Sequence, residues 1–205
     1  QTKDLLKRKN MSQAGEILVF TGPMFSGKSK ALMARLETKQ RAHKKVLIIK
    51  PAIDDRFGMV GKIVAKRKKA EKFEPDDSMP AHIIRDDDLE LRDLILREKP
   101  DVLGIDEAQF FGPWLGRTLY LCRNTINLEI YVAGLDLDAW ANPFGGMPDV
   151  LAYADEVCKF TANCFKCGQD ARFTQKVGGS AEQKIQVGAE NIYEARCGNC
   201  WTSPA

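Results

Sequence analysis

The sequence predicts an α/β fold, a parallel sheet flanked by helices with a small C-terminal unit appended, and three observations carry that prediction. Four short, nearly continuous apolar runs, at residues 16–21, 45–50, 101–106 and 128–134, alternate with stretches of helical spacing. Strands buried on both faces of a doubly wound sheet read in this way. The first run passes straight into Gly22-Pro23-Met24-Phe25-Ser26-Gly27-Lys28-Ser29. Farther on, Cys164 and Cys167 form one C-x-x-C pair, and Cys197 and Cys200 another. A chain of 205 residues holds one sizeable core and an appendage, and is too short for two full domains.

Taken in order, residues 1–14 read as a mobile tail, basic at Lys3, Lys7, Arg8 and Lys9. Residues 15–160 make the main domain and 161–205 the small unit. After the first strand, Ala31, Leu32, Arg35 and Leu36 recur at helical spacing over 28–43, and the run K-V-L-I-I-K completes a β-α-β unit. Residues 51–80 leave the sheet, as a solvated hairpin or loop or as a stretch that binds an anion or partner, with Lys62, Lys66, Arg67, Lys68, Lys69 and Lys72 followed by Glu74, Asp76 and Asp77. Asp86, Asp87 and Asp88 suit the start of a helix to about residue 98, before Pro100, with Leu89, Ile95 and Leu96 expected inward. Strand 101–106, helix 114–124 and strand 128–134 follow, and then a short helix to 156. Beyond it the chain is rich in Gly, Cys and polar residues.

The composition narrows the classes. Hydrophobic residues at 44% and charged residues at 29% fit a packed globular chain and argue against collagen, coiled coil or disorder. A net charge of +3 is too near balance to indicate nucleic-acid binding. No run approaches the ~18 apolar residues of a membrane span, and residues 1–14 lack the apolar stretch of a secretory signal, so the expected address is the cytoplasm.

The segment 22–29 fits G-x-x-x-x-G-K-[ST] between a buried strand and an amphipathic helix. Its glycines let backbone N–H groups turn toward phosphate oxygens, the helix terminus adds positive potential, Lys28 neutralises the transferring phosphate and Ser29 can ligate Mg²⁺. The implied ligand is a nucleoside triphosphate. Asp106 ends a strand, where a second-sphere Mg²⁺ carboxylate belongs, and Glu107 beside it can accept a proton from either water or a substrate hydroxyl. Four thiolates on two knuckles can enclose a structural Zn²⁺ with no open position, whereas two disulfides would not suit a reducing compartment. Cys122 and Cys158 read as packed free thiols. His43 and His82, the only histidines, read as structural. Phe110, Phe111, Trp140 and Phe144 fall in loops after strands, where they either stack on a planar base or pack the loops together.

Together these motifs resemble a known family. G-P-M-F-S-G-K-S, D-E-A-Q-F-F at residues 106–111, G-L-D at 134–136, P-F-G at 143–145, Thr174-Gln175, Tyr193-Glu194 and the two C-x-x-C pairs look like the type II thymidine kinases, in order and spacing, over residues 15–200. The resemblance implies a RecA-like P-loop kinase domain, with a zinc-binding lobe whose lasso loop closes over thymidine, and a homotetramer. It implies transfer from ATP-Mg to the 5′-hydroxyl of thymidine, and of deoxyuridine, in pyrimidine deoxynucleoside salvage, without nucleic acid or membrane partners. Glu107 would be the base and Arg56 would help hold the reacting phosphates. Gly22 to Ser29 and Asp106 would serve ATP and Mg²⁺. Met24, Phe110, Leu135, Phe144, Thr174, Tyr193, Val187 and Gly188 would form the nucleoside site, and Cys164, Cys167, Cys197 and Cys200 would hold zinc. The family usually has an aromatic residue three positions after G-L-D, where this chain has Ala139 followed by Trp140. A DNA-dependent ATPase would share the acidic motif but needs two such domains, and an idle scaffold would lack part of Lys28, Ser29, Asp106 and Glu107.

Overall fold

The computed structural model describes residues 15–52, 61–69, 72–178 and 192–204. The expected N-terminal tail, Arg56, Val187 and Gly188 lie outside the described residues. Six strands form one sheet: β1 (Ile17–Thr21), β2 (Val46–Pro51), β5 (His82–Ile84), β6 (Val102–Ile105), β7 (Glu129–Gly134) and β8 (Glu156–Lys159), in the order β5-β2-β6-β7-β1-β8. Every pairing is parallel, as the continuous apolar runs predict.

Those runs lack alternation because both faces are covered. On one face, helix α1 (Lys28–Arg41) lays Leu32, Met33 and Leu36 on Leu18, Phe20, Ile48 and Tyr131. On the other, α2 (Asp88–Glu98), α3 (Trp114–Ile126) and α4 (Met147–Tyr153) press Leu91, Ile95, Leu115, Leu119 and Val150 onto Ile17, Val19, Ile49, Leu103 and Ile130. Cutting a fully buried leucine such as Leu32 to alanine costs about 2–5 kcal/mol.

Two expectations need correction. Leu89 and Leu96 were expected to face inward, but they are 67% and 63% exposed. The cap sets this phase. Asp87 accepts from the N–H groups of Leu89 (2.9 Å) and Glu90 (3.4 Å), so α2 begins at Asp88. The inward stripe is then Leu91, Leu94 and Ile95, and residues two before and five after Leu91 lie on the opposite side. Asp86 instead accepts from the Gly112 backbone N–H and the Trp114 indole N–H, each at 2.7 Å. The helix expected to reach 156 ends at Tyr153, and 156–159 is the sixth strand.

The excursion is a hairpin, β3 (Lys62–Lys69) paired antiparallel with β4 (Lys72–Pro80). It is anchored rather than merely solvated, because Ile63 and Met79 are buried in the cluster that α1 covers. The C-terminal unit consists of two small ribbons, β9 (Ala162–Asn163) with β10 (Asp170–Ala171), and β11 (Phe173–Lys176) with β12 (Tyr193–Arg196). Among the described residues, no helix is long and apolar enough to cross a membrane.

Candidate functional site

The sheet presents the carboxyl ends of β6, β7 and β1 side by side, and the candidate residues leave from them. Strand β1 ends at Thr21, whose hydroxyl donates to the Gly134 carbonyl of β7 at 3.0 Å. Gly22 follows at φ 136°, and a Cβ there would lie 2.3 Å from the Phe160 carbonyl oxygen, so only glycine lets the chain turn. Gly27, at φ 87°, caps α1 with no side-chain hydrogen bond, and the first turn carries no acidic residue. The exposed N–H groups and dipole of that terminus favour an anion. Lys28 is buried, its ammonium donating to the Pro23 carbonyl at 2.7 Å and to Ser26 Oγ at 3.4 Å. Ser29 Oγ donates to Oδ1 of Asp106 at 3.0 Å, although β7 lies between β1 and β6, the strands that lead to them.

Glu107 leaves β6 in the left-handed region, at φ 54° and ψ 41°. A non-glycine residue there costs about 1–2 kcal/mol and persists only where its surroundings over-determine it. Gln109, which sequence reasoning did not single out, helps to do so. Its side chain is buried, Oε1 accepts from the Leu135 backbone N–H at 3.0 Å, and Nε2 donates to Oε2 of Glu107 at 2.6 Å. The backbone donor fixes which way the amide points, and therefore which atom meets the carboxylate. Gly145 of P-F-G, at φ 52°, closes over the same residue: a Cβ there would lie 1.8 Å from the Gln109 carbonyl oxygen. The signal was the glutamine itself, a polar residue at 109 between Ala108 and the Phe110-Phe111 pair.

Part of the expected nucleoside pocket lies around these groups. Phe110 and Phe144 meet edge to face, with centroids 5.7 Å apart, and Phe144 N–H donates to the Asp136 carbonyl at 3.1 Å. The Asp136 side chain is buried and pairs with Lys159 at the end of β8, at 2.7 Å. Met24 N–H donates to Thr174 Oγ1 at 3.1 Å, joining the glycine-rich loop to β11. Tyr193 starts β12 opposite Lys176. Phe111 belongs with the core: it is fully buried and packs edge-on against Trp114, with centroids 5.8 Å apart. Trp140 lies beneath the Lys176 ammonium, 5.9 Å from the ring centroid, and Ala139 is buried.

The four paired cysteines converge, with their sulfurs all within 4.8 Å of one another. Cys167 and Cys197 are 3.6 Å apart, near the ~3.8 Å edge of a tetrahedron with Zn–S bonds of 2.3 Å. Each pair sits on a tight turn: Gly168 N–H donates to the Cys164 carbonyl at 2.8 Å, and Cys200 N–H to the Cys197 carbonyl at 3.0 Å. Burial pushes the Cys164 thiol up, but the backbone N–H groups of Cys197, Cys167 and Lys166 outweigh it and bring the thiol down to about 6. The Cys200 thiol, hydrogen-bonded by Cys167 and then Cys197, is pushed up to about 12. Four crowded thiols resist joint ionisation, and a divalent cation removes that resistance. All six cysteines are free. Cys122 and Cys158 stand outside the cluster, and burial raises both thiols.

A glycine-rich turn at the end of a parallel strand, with its lysine and serine opposite an aspartate from a second strand, defines a P-loop fold, here with a lobe whose four cysteines could hold a metal ion. The "Thymidine kinase" family model matches residues 15–201. A thymidine kinase of Deinococcus deserti is 38% identical over 196 residues, covering 92% of this chain and 95% of that protein. One from Deinococcus radiodurans is 39% identical over 191 residues (88% and 87%), and one from Bacteroides thetaiotaomicron 36% identical over 189 (91% and 87%). The chain belongs to the thymidine kinase family.

Proposed function

We propose that the chain transfers the terminal phosphoryl group of ATP-Mg to the 5′-hydroxyl of thymidine, and of deoxyuridine, giving the monophosphate and ADP in pyrimidine deoxynucleoside salvage. The observation that carries this reading is the Ser29–Asp106 hydrogen bond, which joins the glycine-rich loop to the residue that follows β6 and precedes Glu107. Because Ser29 gives its proton to Asp106, the lone pairs of its oxygen remain for a hard cation, which suits Mg²⁺ with Asp106 in the second sphere. Mg²⁺ supplies charge neutralisation to the phosphates when bound.

The remaining chemistry belongs to the chain. Residues Gly22 to Ser29 orient the triphosphate, and Lys28 turns from its loop partners to the transferring phosphate as negative charge shifts. Glu107 accepts the 5′-hydroxyl proton as that oxygen attacks in line, and Arg56 steadies the phosphate region. Phe110 and Phe144 flank the base, with Met24, Leu135, Thr174 and Tyr193 around them. Backbone groups near Val187 and Gly188 read its edge, so that a wrong base leaves a buried group unpaired at a cost of about 1–3 kcal/mol. The cysteine lobe carries a structural Zn²⁺ that helps to fold it. The working assembly is a cytoplasmic homotetramer.

A coupled ADP-release assay tests the reading, with thymidine, deoxyuridine, deoxycytidine and single-stranded DNA as separate additions. ADP should appear in proportion to added thymidine or deoxyuridine alone. Turnover driven by DNA, or none with any pyrimidine nucleoside, refutes it.

A further inference from the structure

The glycine-rich loop is held from outside by the metal lobe and by the segment leading into it. Gly22 turns against the carbonyl of Phe160, just beyond β8. The Met24 N–H is turned toward Thr174 in β11 rather than into the phosphate cradle. Phe25 adopts left-handed backbone, φ 65°, a conformation that an aromatic residue holds only under external constraint. Its ring stacks on Phe165 with centroids 5.3 Å apart and planes 28° apart, and it packs against the lobe's small core of Ala162, Ala171, Ala195 and the buried cysteines.

Phe165 directly follows Cys164 in the first knuckle, and its backbone N–H is tied to the Ala195 carbonyl at 2.9 Å. It is nevertheless 39% exposed, so burial within the lobe explains it poorly, whereas the stack on Phe25 explains it directly. We propose that Phe165 is a positioning residue for the nucleoside triphosphate: the knuckle holds the ring, the ring holds Phe25, and Phe25 keeps the loop's N–H groups in their phosphate-binding arrangement. The cysteine lobe then also braces the glycine-rich loop. The proposal rests on the reading of residues 22–29 as the triphosphate cradle.

Calorimetric ATP binding and steady-state kinetics on the full, zinc-loaded chain test it, with Lys28→Ala as reference. Phe165→Ala should weaken ATP binding and raise the KM for ATP about two- to tenfold, the range that an aromatic pair supplies. The KM for thymidine and kcat should stay within about twofold and zinc at one per chain, and Phe165→Tyr should restore ATP affinity. Because the two rings act as a unit, Phe25→Ala combined with Phe165→Ala should weaken ATP binding little more than the stronger single change. ATP affinity unchanged in Phe165→Ala, an equal rise in both KM values, or additive effects in the double variant overturns the proposal. If Phe165→Ala sheds zinc, Phe165→Leu repeats the measurement, and zinc loss there too assigns the ring to the lobe's fold and overturns it. Should Lys28→Ala bind ATP like the wild type, the cradle reading itself fails. Should Lys28→Ala abolish binding while Phe165→Ala leaves it intact, only the positioning role falls.

Discussion

Replacing Gln109 with methionine, which is close in length and shape but lacks the amide, isolates what that residue does. The substitution removes the 2.6 Å hydrogen bond to Glu107 and the 3.0 Å bond from Leu135 N–H. A bond to a charged group contributes about 1.5–3 kcal/mol, and an orphaned buried N–H costs about 1–3 kcal/mol. The second loss falls mainly on stability and on the β7 end of the nucleoside pocket. The first falls on Glu107, the proposed proton acceptor. Because that bond is strongest to the ionised carboxylate, its removal lowers kcat through misalignment of the freed side chain, by up to about 100-fold. The amide N–H stabilises the ionised carboxylate, so its removal favours the protonated form, and the acid limb of the kcat–pH profile should move to higher pH. Stopped assays from about pH 5 to 9 on zinc-loaded protein, with folding checked by thermal denaturation, give both quantities. An unshifted acid limb with kcat within about twofold of wild type would refute the account of Gln109 and its grip on Glu107.

Glu107→Gln keeps the shape of the side chain and removes its basicity, so turnover should fall at least about 100-fold while calorimetry still detects ATP binding; wild-type turnover removes Glu107 from the base role. Gly145→Ala places a methyl 1.8 Å from the Gln109 carbonyl oxygen in strained backbone, forcing a shift of about 1 Å, and kcat should fall about 100-fold with a lower Tm, whereas near-native kinetics would mean that the P-F-G turn yields without disturbing Gln109. Cys167→Ser breaks the four-sulfur set, so bound zinc measured by mass spectrometry should drop well below one per chain and thymidine phosphorylation should be lost; retention of stoichiometric zinc would exclude that ligand set.

Legibility followed sequence distance. The glycine-rich loop is a run of eight consecutive residues whose backbone would do the proposed chemistry, so its pattern survives in one dimension, and the strands around it were readable because coverage on both faces leaves a continuous apolar string. Strand β8 escaped for the opposite reason: among the described residues it is an edge strand paired with β1 alone, exposed along most of its length, and carries no such string. Leu89 and Leu96 were misplaced because a helix's inward stripe depends on where it starts, and a shift of one residue turns the stripe by about 100°. Gln109 and Phe165 were invisible for a third reason. Each matters through a partner far along the chain, Leu135 for one and Phe25 for the other, and no local pattern announces such a pair.

The strand order explains why the nucleoside pocket would be built where it is. Strand β1 delivers the phosphate loop and β6 delivers Asp106 and Glu107, and β7 is inserted between them. The turn leaving β7 therefore opens between the glycine-rich loop and Glu107, which is where an attacking hydroxyl would have to be if those two are the proposed cradle and proton acceptor. Leu135 and Asp136 sit at that turn, and the Phe144 N–H bond to the Asp136 carbonyl folds the following loop back over it, bringing Phe144 against Phe110. Gln109 then locks the two strand ends together by holding β7's Leu135 with one atom and Glu107 with the other. Since in-line transfer depends on alignment more than on covalent participation, a rigid cross-link at the separation of two neighbouring strands would convert the regular spacing of the sheet into a fixed distance between the proposed acceptor and base.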